Sequence, residues 1–262
     1  MSIVFSAILP HPPILIPQIG KENIGQLEKT LQAIEKLRKD FIDSGAETIM
    51  IISPHGIIQN DAFTMNLCPE FKCDFEDFGD FSTKCTWPGN VGLSHKLREA
   101  LEVTAPLQLI SEENLDYGTS VPLCVLTEGK PNLKLIPLYY SGLNNEAHYK
   151  FGQVMKKELL KRREPVAIIA SGDLSHRLEK NAPGGYSSKG KKFDNRLIKL
   201  LQEKNIEKII NMDEGLIVEA GECGLKSILI LLGILDDINY NPKLLSYEAP
   251  FGVGYMTMNF KF

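Results

Sequence analysis

The chain opens on an apolar run, Ile3-Val4-Phe5-Ser6-Ala7-Ile8-Leu9, and then changes period. Ile24, Leu27, Leu31, Ile34, Leu37 and Phe41 recur every three or four residues, the spacing that gathers one apolar stripe on a helix. Gly45 supplies a stop. Thr48-Ile49-Met50-Ile51-Ile52-Ser53 follows, a short β-branched run of the kind a parallel sheet buries on both faces. The beginning therefore reads β-α-β. The pattern returns as a strand over 133–139, a helix over 146–163 and a strand over 166–170, with right-handed crossovers expected between parallel strands. Helices are predicted near 191–203 and 224–235, and 244–247 with 253–260 read as a closing hairpin.

Between 61 and 90 the period fades. Phe71, Phe75, Phe78 and Phe81 are interleaved with acids ahead of Pro88-Gly89, the pattern of an insertion or short hairpin. No repeat, low-complexity tract or Ser/Gly/Pro-rich linker divides the sequence. The expected fold is α/β: one domain over 1–262, a central, mostly parallel mixed sheet flanked by helices.

Composition narrows the function. With 43% hydrophobic and 24% charged residues among 262, the chain can bury a large core and is not expected to be disordered. A formal net charge of -4 gives no basic face for nucleic acid or an acidic membrane. No apolar run approaches the roughly 20 residues that span a bilayer, and the first strand lacks a preceding basic segment, so a cytoplasmic protein is expected. Five cysteines, odd in number and without a CxxC pair, read as reduced thiols. Cys68, Cys73 and Cys85 offer three sulfurs to zinc, but their spacing fits no compact finger.

The histidines carry more. His11, His55 and His176 each follow a predicted buried strand, and ligands of open parallel sheets gather beyond the carboxyl ends of the strands. His95 and His148 fall on predicted helices and read as solvated. Each strand-end histidine also has a plain structural reading, His11 within the Pro10-His11-Pro12-Pro13 turn and His55 as a loop cap beside Pro54. Two imidazoles with one carboxylate form a facial triad that leaves metal positions open. Glu219 or Glu222 supplies the carboxylate, with Glu222 preferred because neighbouring Gly221 and Gly224 allow close backbone approach. Glu222 equally suits a helix N-terminus, and Cys223 competes as a ligand. In Ser171-Gly172-Asp173-Leu174-Ser175-His176, Asp173 is placed to orient a loop or histidine and His176 to exchange protons. The loop over 177–192, with Gly184-Gly185, has neither a Walker pattern nor GxGxxG; it reads as a surface loop or a lid.

His11-Pro12-Pro13, Ser53-Pro54-His55-Gly56, the stretch from Leu115 to Leu123, Ser171 to His176 and Gly221-Glu222-Cys223-Gly224, in that order, resemble the class III extradiol dioxygenase superfamily of the protocatechuate 4,5-dioxygenase catalytic subunit. More narrowly, these motifs and the ending Ser246 to Tyr255 resemble the AmmeMemoRadiSam system protein B, or Memo-like, group. The resemblance implies a non-haem Fe(II) on His11, His55 and Glu222, with Zn(II) or another divalent transition metal as alternatives, and His176 as the acid/base. It implies O2 and a small aromatic diol as reactants. Tyr117 stands where many ring-cleaving relatives carry histidine, and Memo-like relatives use a cysteine near Cys223. The narrower group implies instead a non-oxygenase metal-binding accessory protein, with an AMMECR1-domain or radical SAM partner. A homo-oligomer stays open.

Overall fold

The structure is a computed structural model that describes residues 2–127 and 132–262. Its strands are β1 (Ile3–Leu9), β2 (Thr48–Ser53), β3 (Phe63–Asn66), β4 (Glu70–Phe75), β5 (Asp80–Pro88), β6 (Leu107–Ile110), β7 (Lys134–Tyr139), β8 (Val166–Ser171), β9 (Asn241–Glu248) and β10 (Tyr255–Lys261). The helices are α1 (Pro17–Gly20), α2 (Glu28–Asp43), α3 (Val91–Leu101), α4 (Tyr117–Thr127), α5 (Asn145–Leu160), α6 (Ser188–Gln202), α7 (Ile206–Ile210), α8 (Glu214–Ala220) and α9 (Leu225–Ile234). The 24–41 stripe enters as a 3₁₀ segment before α2, which stops at a left-handed Gly45.

Eight strands form one sheet in the order β6-β3-β7-β2-β8-β1-β10-β9. Its centre, β7-β2-β8-β1, is parallel, while β3 pairs antiparallel with β7 and β10 antiparallel with β1. The expected α/β fold with a mostly parallel mixed sheet is the observed one. Every residue of β2 and β8 is buried, because helices cover both faces. Met50, Ile52, Ile168 and Ala170 face the core built with α3, α5, α6 and α9. Ile49, Ile51, Ala167 and Ile169 face the opposite core with α2, α4 and the β4–β5 hairpin. Burying each Ile or Met side chain of this set is worth about 1.5–3 kcal/mol, so the central strands form a rigid base for whatever their ends carry.

The weakly patterned 61–90 stretch resolves into two parts. β3 joins the main sheet beside β6 and β7, and β4–β5 forms a separate two-stranded sheet, the expected hairpin. Strands β9 and β10 close the fold as an antiparallel pair.

Candidate functional site

Three adjacent parallel strands, β2, β8 and β1, end side by side. His11 follows β1, His55 follows β2, and Asp173 and His176 follow β8. Because β8 lies between the other two, residues more than 160 positions apart converge at one edge. His11 Nε2 and His55 Nε2 are 3.0 Å apart, and the Tyr117 hydroxyl, on the first turn of α4, is 2.9 Å from His55 Nε2. The His55 and Tyr117 rings stack with centroids 4.4 Å apart, and Phe78 meets Tyr117 edge-on at 5.4 Å.

The far side of His11 fixes its tautomer. The Ser171 hydroxyl donates to the Gly118 carbonyl at 2.5 Å and lies 2.9 Å from His11 Nδ1. Its single proton is thus committed, so Nδ1–H donates to Ser171 Oγ and Nε2 keeps its lone pair for the centre. Burial lowers the His11 pKa to about 3, with the His176 charge adding to the effect; burial first and His11 second lower His55 to about 4. Both rings are therefore neutral at physiological pH. The Asp173 Oδ2 to His11 Nε2 contact of 3.7 Å is accordingly not an ion pair. Asp173, buried, accepts the His11 backbone N–H at 3.0 Å, and burial raises its pKa to about 6. It orients the strand-end turn.

The His55 loop is held by Asp116, which caps α4. Asp116 Oδ1 accepts the Ser53 hydroxyl at 2.5 Å and the Thr119 N–H at 3.0 Å, and Ser53 Oγ accepts the His55 N–H. A Cβ on Gly118 would lie 2.7 Å from Ser53 Oγ and 3.0 Å from the His55 ring, so glycine lets α4 approach. Ser171, Asp116 and Gly118 were not singled out from sequence. For one of them the available signal is Asp116 itself, a favoured N-cap residue just ahead of the helix it caps.

His11, His55 and Cys223 bring two ring nitrogens and a sulfur within 4.8 Å of one another. Cys223 Sγ lies 3.6 Å from His11 Nε2. Gly172 and Gly224 bring its loop against the end of β8: a Cβ on Gly172 would meet Gly224 Cα at 2.2 Å. Glu222 is not in that group; its carboxylate accepts the Leu225 N–H at 2.6 Å, capping the first turn of α9, and desolvation raises its pKa to about 7. Glu219 is exposed and accepts from the Ser187 hydroxyl. His176 donates from Nδ1 to the Gly221 carbonyl at 2.7 Å, which leaves Nε2 as the free nitrogen. Burial raises the Tyr117 pKa well above the ordinary phenol range, so Tyr117 remains a hydrogen-bond donor.

This donor set fits a borderline transition metal. Neutral imidazoles suit iron, zinc and copper. Burial first, then Asp173 and Glu222, keep the Cys223 thiol protonated, a preference that a coordinated cation reverses. The remaining histidines differ from expectation in one case. His95 is exposed, but His148 is fully buried on α5, donating from Nδ1 to the Asn144 carbonyl at 2.7 Å and accepting the Ser141 N–H at Nε2. His148 lies on the inward stripe of α5 with Phe151, Met155 and Leu159, while Glu146 and Lys150 occupy the exposed face. In the 177–192 stretch the loop gives way at Ser188 to α6.

Among known proteins, the chain is 33% identical over 268 residues to Protein CA_C1420 of Clostridium acetobutylicum, covering 98% of this chain and 57% of that relative, so it spans little more than half of its length. It is 26% identical over 266 residues to 3,4-dihydroxyphenylacetate 2,3-dioxygenase of Escherichia coli, covering 95% and 96% of the two chains. The crystal structure of uncharacterized protein JW3007 from Escherichia coli K12 shares the fold, with a TM-score of 0.71 at 15% identity over 98% of this chain and 99% of that one. Residues 6–258 match the model of the catalytic LigB subunit of aromatic ring-opening dioxygenase, and the chain belongs to that family of class III extradiol dioxygenase catalytic subunits.

Proposed function

We propose that this chain is a non-haem Fe(II)-dependent dioxygenase of the extradiol type, which opens the ring of a small catechol-like diol with O2. The observation that carries the reading is the convergence of neutral His11 and His55 with His176, Asp173 and Tyr117 beyond three parallel strand ends. His11 and His55 hold the metal, and the third donor comes from the Glu222-Cys223 pair. A ferrous ion bound there supplies a meeting point for the two diol oxygens and O2 and a path for electrons between them. No external reductant is needed, because both atoms of O2 enter the product as the carbon–carbon bond beside the diol breaks.

The chain's own groups handle protons and orientation. His176, its Nδ1 proton committed to Gly221, offers Nε2 to take a proton from the diol and to return one later. The Tyr117 phenol donates a hydrogen bond beside His55 without adding charge. The Tyr117 face and the partly exposed Phe78 form an aromatic wall for a flat ring. Asp173 acts through His11, fixing the backbone that carries it.

The test is anaerobic loading with ferrous iron, followed by O2 and a panel of catechols. One O2 consumed per diol with a yellow ring-opened product is expected. No turnover at full iron occupancy would defeat the reading. One observation favours a second reading: Cys223, rather than Glu222, stands with His11 and His55. A two-histidine, one-cysteine centre suits a metal-binding accessory protein of the Memo-like type, paired with an AMMECR1-domain or radical SAM protein. Cys223→Ser then removes the metal while Glu222→Gln retains it; the reverse result returns the third position to Glu222.

A further inference from the structure

A second cluster of metal-type donors lies two turns down the helix that carries Tyr117. Cys124 sits seven residues along α4, about 10 Å at 1.5 Å per residue. Its sulfur is 3.6 Å from Cys73 Sγ on β4 and 3.6 Å from Cys85 Sγ on β5. Cys73 and Cys85 are directly paired across the hairpin, and all three sulfurs lie within 4.8 Å of one another. In the sequence Cys68, Cys73 and Cys85 have a spacing that fits no compact finger; the fold groups Cys73 and Cys85 with Cys124 instead of Cys68.

We propose that Cys73, Cys85 and Cys124 form a second metal site, a three-thiolate seat for a thiophilic d10 cation, Zn(II) or Cu(I), independent of the histidine centre. Zn–S bonds of about 2.3 Å in a tetrahedral site set sulfurs about 3.8 Å apart, close to the two 3.6 Å separations already present. Soft sulfur donors without a carboxylate or imidazole among them select such ions over magnesium, calcium or manganese. The three S–H groups already share protons: the Cys124 and Cys73 contacts hold Cys85 below the ordinary thiol range, while Cys73 and Cys124 are pushed above it. A cation replaces those protons. One positive side chain stands near to offset thiolate charge: Arg38, which donates to the Val125 carbonyl next to Cys124 and lines the same cavity as Cys85 and Cys124.

The surroundings give the site a role. The β4–β5 pair lies outside the main sheet and is held to the body of the protein through the apolar packing of Phe71, Phe75 and Trp87 rather than by strand pairing. Joining both strands to α4 through one ion staples the hairpin, whose connecting Phe78 borders the histidine centre. Cys85 and Cys124 also open on a cavity of about 760 Å³, walled by Leu31, Ile34 and Trp87, so the fourth position of a zinc ion faces a space that admits an external ligand. This differs from a closed structural zinc site.

Anaerobic titration of reduced, metal-free protein with Co(II), a spectroscopic stand-in for zinc, tests the proposal. The wild type is expected to take up two equivalents. His11→Ala/His55→Ala is expected to keep one, with strong sulfur-to-cobalt charge-transfer absorption in the near ultraviolet. Cys124→Ser is expected to lose that equivalent and most of the absorption while still loading the histidine centre, which also reports that it is folded. A Cys124→Ser chain matching wild type in stoichiometry and spectrum, or a histidine double variant that binds no metal, overturns the site. Independently of any cysteine variant, Zn(II) is expected to protect Cys73, Cys85 and Cys124 of the histidine double variant from alkylation, as read by peptide mass spectrometry. Equal labelling with and without Zn(II), and with and without Cu(I), overturns it; protection by one ion alone identifies which is bound.

Discussion

His148 shows how a single titratable ring couples this fold to pH. Its Nε2 already accepts the Ser141 N–H, so a proton added there would face a donor, and the ring is buried against Phe63. Burial first, and Lys226 second, lower its pKa from 6.5 to about 4. Between those values the unfolded chain binds the proton and the folded chain does not, so this group's contribution is present above pH 6.5 and lost as pH falls towards 4. At about 1.4 kcal/mol per unit, the wild type should lose on the order of 2 kcal/mol relative to His148→Gln between pH 7.5 and 4.5, compared by urea unfolding. An unchanged difference between the two proteins would show that His148 is not held neutral. Tyr117 is tested on function instead. Tyr117→Phe keeps the ring stack with His55 but removes one hydrogen bond worth about 1 kcal/mol, so kcat/KM for the diol should fall roughly fivefold with metal content unchanged. Loss of metal in that variant would make Tyr117 a support of the ligands rather than a contact of the substrate.

Between elements, α5 crosses α9 at backbone contact. A Cβ on Gly152 would meet the Ile230 carbonyl oxygen at 2.2 Å, and one on Gly233 would meet the Tyr149 carbonyl oxygen at 2.1 Å, so backbone touches backbone. Gly233→Ala must separate the helices, costing about 1–3 kcal/mol. A melting point lower by roughly 5–10 °C is the expected reading, since each kcal/mol moves a chain of this size by about 2–4 °C; a shift under a degree would mean that the crossing can open freely. Such contacts also mark what the sequence reveals. β1, β2 and β8 were legible because burial on both faces leaves near-continuous apolar runs, and His11, His55 and His176 were legible because they follow those runs directly. β3 and β6, four residues each, were not, because four residues carry too little pattern to mark a strand. The burial of His148 and the meeting of Cys124 with Cys73 and Cys85 depend on which helix covers which face, which no local period encodes.

At the scale of the whole molecule, the proposed ligands come from positions 11 and 55 and from the 222–223 pair, joined only by the completed order of β2, β8 and β1. A chain without that topology has no such site, so metal should bind the native state and spare the unfolded one. Free metal at 100 times its dissociation constant then adds about 2.7 kcal/mol to global stability. For this length the gain corresponds to roughly 5–10 °C in melting temperature. The cysteine cluster contributes a metal effect of its own, so the informative quantity is a difference between variants. The metal-induced shift of the wild type should exceed that of His55→Ala by several degrees in the presence of Fe(II) or Zn(II), and the excess should vanish in chelator. Equal shifts in the two proteins would mean that whatever metal stabilises this fold is held somewhere other than between His11 and His55.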